Sequence, residues 1–139
     1  MAPFIKMDKK TVQRAVRHRI RLLSRLPGFG KVRFIMLHGS SLSAGMRIGS
    51  DIDLCVYYDG TPHESSLFRL AALSLPEPDD FDIQIFSDLP LYVRREVLKG
   101  EVVFTRDIRF VYDTAVATYR EFEMFRHRLD DYTGEMAIT

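Results

Sequence analysis

Apolar and polar positions alternate along this chain with two distinct periods. Val12, Ala15, Val16, Ile20, Leu23 and Leu26 recur at helical spacing, and Lys10, Arg14, Arg17, Arg21 and Arg25 lie across from them. That spacing predicts an amphipathic helix over residues 8–26, closed by Pro27-Gly28. Residues 32–37 form a short apolar strand, and residues 41–46 fit a helical turn. Between 51 and 58, Ile52, Leu54 and Val56 alternate with Asp51, Asp53 and Cys55, the period-two pattern of a strand. Asp59-Gly60 turns the chain, and Thr61-Pro62-His63-Glu64 reads as a capping box with proline at the first helical position. That context accounts for His63. The helix it opens ends before Pro76-Glu77-Pro78. Residues 81–86 alternate again, with Phe81, Ile83 and Ile85 on one face and Asp82 and Gln84 on the other. A helix to about Leu98 follows, with Asp88 as its cap and Gly100 as its stop. A short strand over 102–104 precedes a long helix, 107–132, capped by Asp107.

That last helix carries Ile108, Val111, Tyr112, Ala115, Tyr119, Phe122, Phe125, Leu129 and Tyr132 at three-four spacing. A stripe this long on a small domain either packs on the sheet or extends beyond it to pair with another chain.

Composition narrows the class. The chain has 139 residues, 46% hydrophobic and 28% charged, as expected of one globular domain over 1–139. No apolar run approaches the roughly 20 residues of a membrane span. The start, MAPFIKMDKK, lacks a secretory pattern, so the expected location is the cytoplasm and no membrane partner is expected. A single cysteine, Cys55, excludes an internal disulfide and argues against a zinc cluster.

The net charge of +1 hides a segregation. Residues 1–33 hold ten Lys/Arg against Asp8 alone, a net of +9, while residues 34–139 hold ten against eighteen acids, a net of −8. Like charges at i and i+4 each cost a helix about 0.2–0.5 kcal/mol. The acidic remainder of the fold, or solvent and counterions, is the favoured compensation. An RNA- or phosphate-binding face is the sharper reading, weakened by the absence of interleaved aromatics.

Chemistry concentrates between Gly39 and Asp53. In a strand, positions i and i+2 share a side, so Asp51 and Asp53 present both carboxylates on one face. Such a pair repels itself unless a cation intervenes, and Mg²⁺ prefers carboxylate oxygens. The Gly39-Ser40 turn just upstream offers backbone N–H groups and a hydroxyl to a phosphate. Phosphate cradle and metal clamp together point to metal-assisted nucleotidyl or phosphoryl transfer. Asp82, the only carboxylate inside the 81–86 alternation, is a third acid that a strand would hold rigidly. His38, at a strand end beside the turn, is read as finishing the strand, and Cys55 as a small buried side chain.

Gly39-Ser40 followed by Ser50-Asp51-Ile52-Asp53-Leu54 resembles the signature of the DNA polymerase beta-type nucleotidyltransferases, above all their small stand-alone members. The resemblance spans residues 32–104 and implies an α/β (α+β) fold with a mixed sheet of about four strands flanked by helices. It implies that Gly39 and Ser40 bind the triphosphate, that Asp51 and Asp53 hold two Mg²⁺ ions (or Mn²⁺), and that Asp82 helps bind a metal and activates the attacking hydroxyl. Many small members carry Arg directly after Gly-Ser. Here that position is Ser41, and Arg47 is the nearest cation in the loop that could replace it.

By this resemblance the chain is expected to transfer a nucleoside monophosphate, AMP foremost, from ATP or another NTP to a hydroxyl, with a protein as the favoured acceptor. Family relatives pair as antitoxins with helical HEPN-type toxins, so an alternative is a binding module with weak or no turnover. A further alternative is transfer to a small molecule or an RNA end. The apolar stripe of the last helix would serve a homodimer or a toxin.

Overall fold

The computed structural model describes residues 6–7, 9–39, 46–47, 52–76 and 81–138, with side chains described for 9–39, 52–76 and 81–133. In chain order the elements are β1 (Lys6–Met7), α1 (Lys9–Leu23), β2 (Val32–His38), β3 (Met46–Arg47), β4 (Ile52–Tyr58), α2 (Pro62–Leu73), β5 (Phe81–Ile85), α3 (Leu91–Leu98), β6 (Glu101–Thr105) and α4 (Ile108–Ile138). Short 3-10 turns at Phe29–Lys31 and Phe86–Asp88 complete the path. β5, β4, β2 and β6 form a four-stranded sheet in that order, and β1 pairs with β3 in a separate two-stranded ribbon. β4 and β5 run parallel, joined through α2, while β2 is antiparallel to both β4 and β6. This is the mixed sheet the sequence predicts.

The alternation along β4 sorts the two faces. Ile52, Leu54, Val56 and Tyr58 pack with Val12, Val16 and Leu23 of α1 and Phe68 and Ala72 of α2. Cys55, with Phe34 and Met36 of β2, packs with Val97 of α3 and Val111 of α4. Helices therefore cover both faces of the sheet. Burial pushes the Cys55 thiol up to about 12, so it is an inert core group.

Local signals behave as their chemistry dictates. The Thr61 hydroxyl accepts from the Glu64 N–H at 3.1 Å, and the Glu64 carboxylate accepts from the Thr61 N–H at 3.0 Å, so the capping box forms. Asp107 accepts from the Arg109 N–H at 3.0 Å and starts α4. Gly100 lies against β2: a Cβ there would stand 2.3 Å from the Leu37 carbonyl oxygen.

Three expectations are corrected. Met46, assigned to a helical turn, belongs to β3, where it pairs with Met7; residues 41–45 lie outside the described residues. Asp88 does not cap α3: it belongs to the preceding 3-10 turn, and Pro90 stands at the cap with no side-chain bond. The last helix runs on to Ile138. Its first half is anchored, with Val111 and Thr118 buried and the Arg95 guanidinium 4.6 Å from the Phe122 ring centroid. Residues 123–133, the last whose side chains are described, are all exposed. Phe125, Leu129 and Tyr132 are 55%, 48% and 62% exposed. The stripe is thus split between core and surface.

Candidate active site

Strand register assembles the site. Across the antiparallel pair, His38 at the end of β2 stands opposite Asp53 on β4. Across the parallel pair, Asp53 stands opposite Asp82 on β5. Directly opposed residues share a face, and neighbouring strands lie about 4.8 Å apart. His38, Asp53 and Asp82 therefore form a row across three strands at one end of the sheet. All three are part-buried.

Gly39 turns the chain away from this row. Its φ of +75° is a left-handed conformation that glycine adopts freely. A Cβ at Gly39 would lie 2.6 Å from the Asp53 carboxylate oxygen Oδ2, so the missing side chain is the space the carboxylate uses. The glycine turn and the second aspartate are thus neighbours in the fold. Ser40 and Asp51 lie outside the described residues, as does the side chain of Arg47, whose backbone forms β3.

The aspartates differ in their surroundings. The Gln84 amide, two residues along the same face of β5, donates to Asp82 Oδ2 at 2.7 Å. Arg69 of α2 donates through Nε to the Ile83 carbonyl on the free edge of β5 at 2.6 Å, and its terminal nitrogen lies 4.0 Å from Asp82 Oδ1. Asp82 is therefore held from two sides. Arg69 is not singled out by the sequence, because only the approach of α2 to the edge strand β5 brings it to the carboxylate, whereas Gln84 shares with Asp82 the face that the alternation already marks. Burial holds the His38 imidazole below its ordinary range, against an opposing pull from Asp53 and Asp82. Arg19 is a further buried cation. It occupies the apolar seam of α1, with its guanidinium 4.5 Å from the ring centroid of Phe81, the residue before Asp82.

Two carboxylates directly opposite on adjacent strands repel each other. Their oxygen donors suit a hard divalent ion, so the residues present fit the group implied by the sequence. Among the described residues no group of three His, Cys, Asp or Glu side chains is gathered closely enough to hold a metal, and Asp51 is not among them.

A profile of the family described as "Polymerase beta, Nucleotidyltransferase" matches residues 21–109, which contain the whole row and the turn. The chain belongs to this nucleotidyltransferase family. A candidate protein adenylyltransferase of Methanocaldococcus jannaschii is 35% identical over 77 residues, a match covering 55% of this chain and 58% of that relative's length. Among solved structures, a chain from the complex of tri-AMPylated Shewanella oneidensis HEPN toxin with MNT antitoxin superposes with a TM-score of 0.61 at 15% identity, covering 94% of this chain and 99% of that one. A chain of a toxin–antitoxin complex with AMP-PNP gives a TM-score of 0.64 at 16% identity, covering 88% of this chain and 98% of its own length. At such identities the likeness is one of fold. No helix among the described residues is long and apolar enough to cross a membrane.

Proposed function

We propose that this chain is a metal-dependent nucleotidyltransferase that moves AMP from ATP to a hydroxyl of a protein acceptor, with pyrophosphate as the leaving group. The observation that carries the reading is the cross-strand pairing of Asp53 with Asp82 beneath the Gly39 turn. Asp51, Asp53 and Asp82 hold Mg²⁺, which when bound stabilises the attacking and leaving oxygens of an in-line displacement. Gly39 and Ser40 receive the triphosphate, with Arg47 as the cation of the same loop. Asp82 faces the acceptor hydroxyl and takes up its proton, while Gln84 and Arg69 fix the direction of its carboxylate. Positioning and charge stabilisation are most of what such a transfer requires. Residues 1–139 act as one nucleotidyltransferase domain, in the cytoplasm.

The acceptor class rests on the exposed half of α4. Val111, Thr118, Phe125 and Tyr132 recur every seven residues, with Ala115, Phe122 and Leu129 between them, the repeat of a helix that packs against another helix. The repeat begins on the domain's own core and continues past it, so Phe125, Leu129 and Tyr132 are proposed to receive a helical partner. Solved complexes of the same fold, one of a HEPN toxin with an MNT antitoxin and one with AMP-PNP, support a protein partner and an adenine nucleotide.

Titration calorimetry of ATP with and without Mg²⁺ tests the site. The expected result is Mg²⁺-dependent binding that the double variant Asp51→Ala, Asp53→Ala loses. Equal binding by wild type and variant would overturn the metal assignment. With α-labelled ATP and the acceptor protein, Asp82→Asn should retain ATP binding and abolish transfer. Unchanged transfer would make Asp82 a surface residue of β5.

A further inference from the structure

The basic face of α1 has no acidic partner within the described fold. Lys10, Arg14, Arg17 and Arg21 fall within an arc of about 60° on a helix of 3.6 residues per turn, and span about 17 Å along its axis. Arg25 follows in the turn beyond. All five are exposed. The ion pairs formed by described residues join Lys31 to Glu64, Arg33 to Asp59, Arg69 to Asp82, Arg95 and Lys99 to Glu96, and Arg126 to Glu123. None involves the ridge. Glu101 shares a cleft of about 260 Å³ with Gln13 and Arg17, and no ion pair joins it to the ridge among the described residues. Among the described residues, direct ion pairing with the acidic remainder of the chain, the favoured reading of the sequence, is therefore not seen at the ridge.

The position of the ridge is informative. Val16 and Arg17 border the same cleft as Leu37, the residue before His38, and Arg19 lies over the ring of Phe81, the residue before Asp82. α1 thus crosses the sheet at the strand ends that carry the carboxylate row, on the opposite face.

We infer that the α1 ridge binds the phosphate backbone of a nucleic acid, lying past the active end of the sheet. Three ligand chemistries are open to a row of cations, and the surface favours one. A protein interface needs buried apolar or aromatic anchors, and the ridge presents none between its cations. A membrane surface needs an apolar helix face to insert, but Val12, Val16 and Leu23 are committed to the core. Phosphates need only charge, delivered here by four arginines and one lysine on a rigid helix. The recognition is of backbone, without base readout.

The test uses the full chain with a fluorescent 20-nucleotide single-stranded RNA, a 20-base-pair DNA duplex and polyglutamate, followed by anisotropy from about 50 to 200 mM salt. For four or five phosphates engaged, log K should fall against log salt with a slope of about −3 on the single strand. The triple variant Arg14→Glu, Arg17→Glu, Arg21→Glu should bind at least tenfold more weakly with a slope shallower than about −1.5, while circular dichroism and Mg²⁺-ATP binding stay unchanged. Should that variant fail to fold, Arg14→Gln with Arg21→Gln is read in its place, with about 1.4 units of slope removed on the single strand. Stronger binding of the RNA or of the duplex decides which nucleic acid is the ligand. Absence of salt-dependent binding to either, unchanged binding by a folded variant, or equal displacement by polyglutamate would overturn the inference.

Discussion

Replacing Gly39 by alanine places a methyl group where the Asp53 carboxylate now lies. The new Cβ would meet Oδ2 at 2.6 Å, well inside contact distance, and the backbone is held at a φ of +75°. Two costs follow. A side chain in the left-handed region costs about 1–2 kcal/mol, which in a domain of this size lowers the melting temperature by about 3–8 °C. Asp53 must also rotate, because a carboxylate oxygen moves more readily than the strand beneath it. Rotation turns it away from Asp82, so Mg²⁺-dependent ATP binding should fall by at least tenfold, far more than the modest loss of stability explains. Calorimetry at 15 °C, where the variant is folded, separates the two effects. Gly30→Ala is the control, since a Cβ there meets nothing within 4 Å and the backbone needs no glycine. If Gly39→Ala melts several degrees lower yet binds Mg²⁺-ATP like wild type, the Gly39–Asp53 contact has no part in the site.

Gln84→Ala removes the 2.7 Å bond to Asp82, and a hydrogen bond to a charged group is worth about 1.5–3 kcal/mol, so label transfer should slow about tenfold or more with ATP affinity kept; an equal loss of ATP affinity would show that Gln84 supports the fold of the site instead. Phe125→Glu with Leu129→Glu should leave stability within about 0.5 kcal/mol, as surface changes do, and abolish assembly seen by light scattering. Outright unfolding would place that half of the stripe in a core. The bond from Lys31, with those at Thr61, holds the Glu64 carboxyl down at about 2. A carboxyl depressed in the folded state stabilises above its ordinary 4.5 and loses that contribution as pH falls towards about 2, so Glu64→Gln should flatten the acid limb of a stability–pH curve in that window, and an unchanged limb would refute the pairing.

Much of the architecture is written in local patterns. The alternation of Ile52, Leu54 and Val56, the capping box at Thr61 and the amphipathic face of α1 each depend on near neighbours, and a short-range pattern names its element without the rest of the chain. The Gly-Ser and Asp-x-Asp spacing carried the family by the same logic. What the sequence did not contain was any distance between segments. That Asp82 stands opposite Asp53 follows from parallel pairing of β4 and β5, and that Asp53 fills the space above Gly39 follows from the turn at the end of β2. Arg69 acquires a role only because β5 is an edge strand with a free carbonyl and a neighbouring helix, whereas Gln84, two residues from Asp82 on one strand face, was already placed by the alternation. Asp88 failed as a cap for a local reason: the chain bends through a 3-10 turn there and Pro90 takes the cap position. The division of α4 into a buried and an exposed half is tertiary altogether. One repeat runs through the helix, and the domain is long enough to cover only its first half, so burial, not sequence, decides where core ends and surface begins.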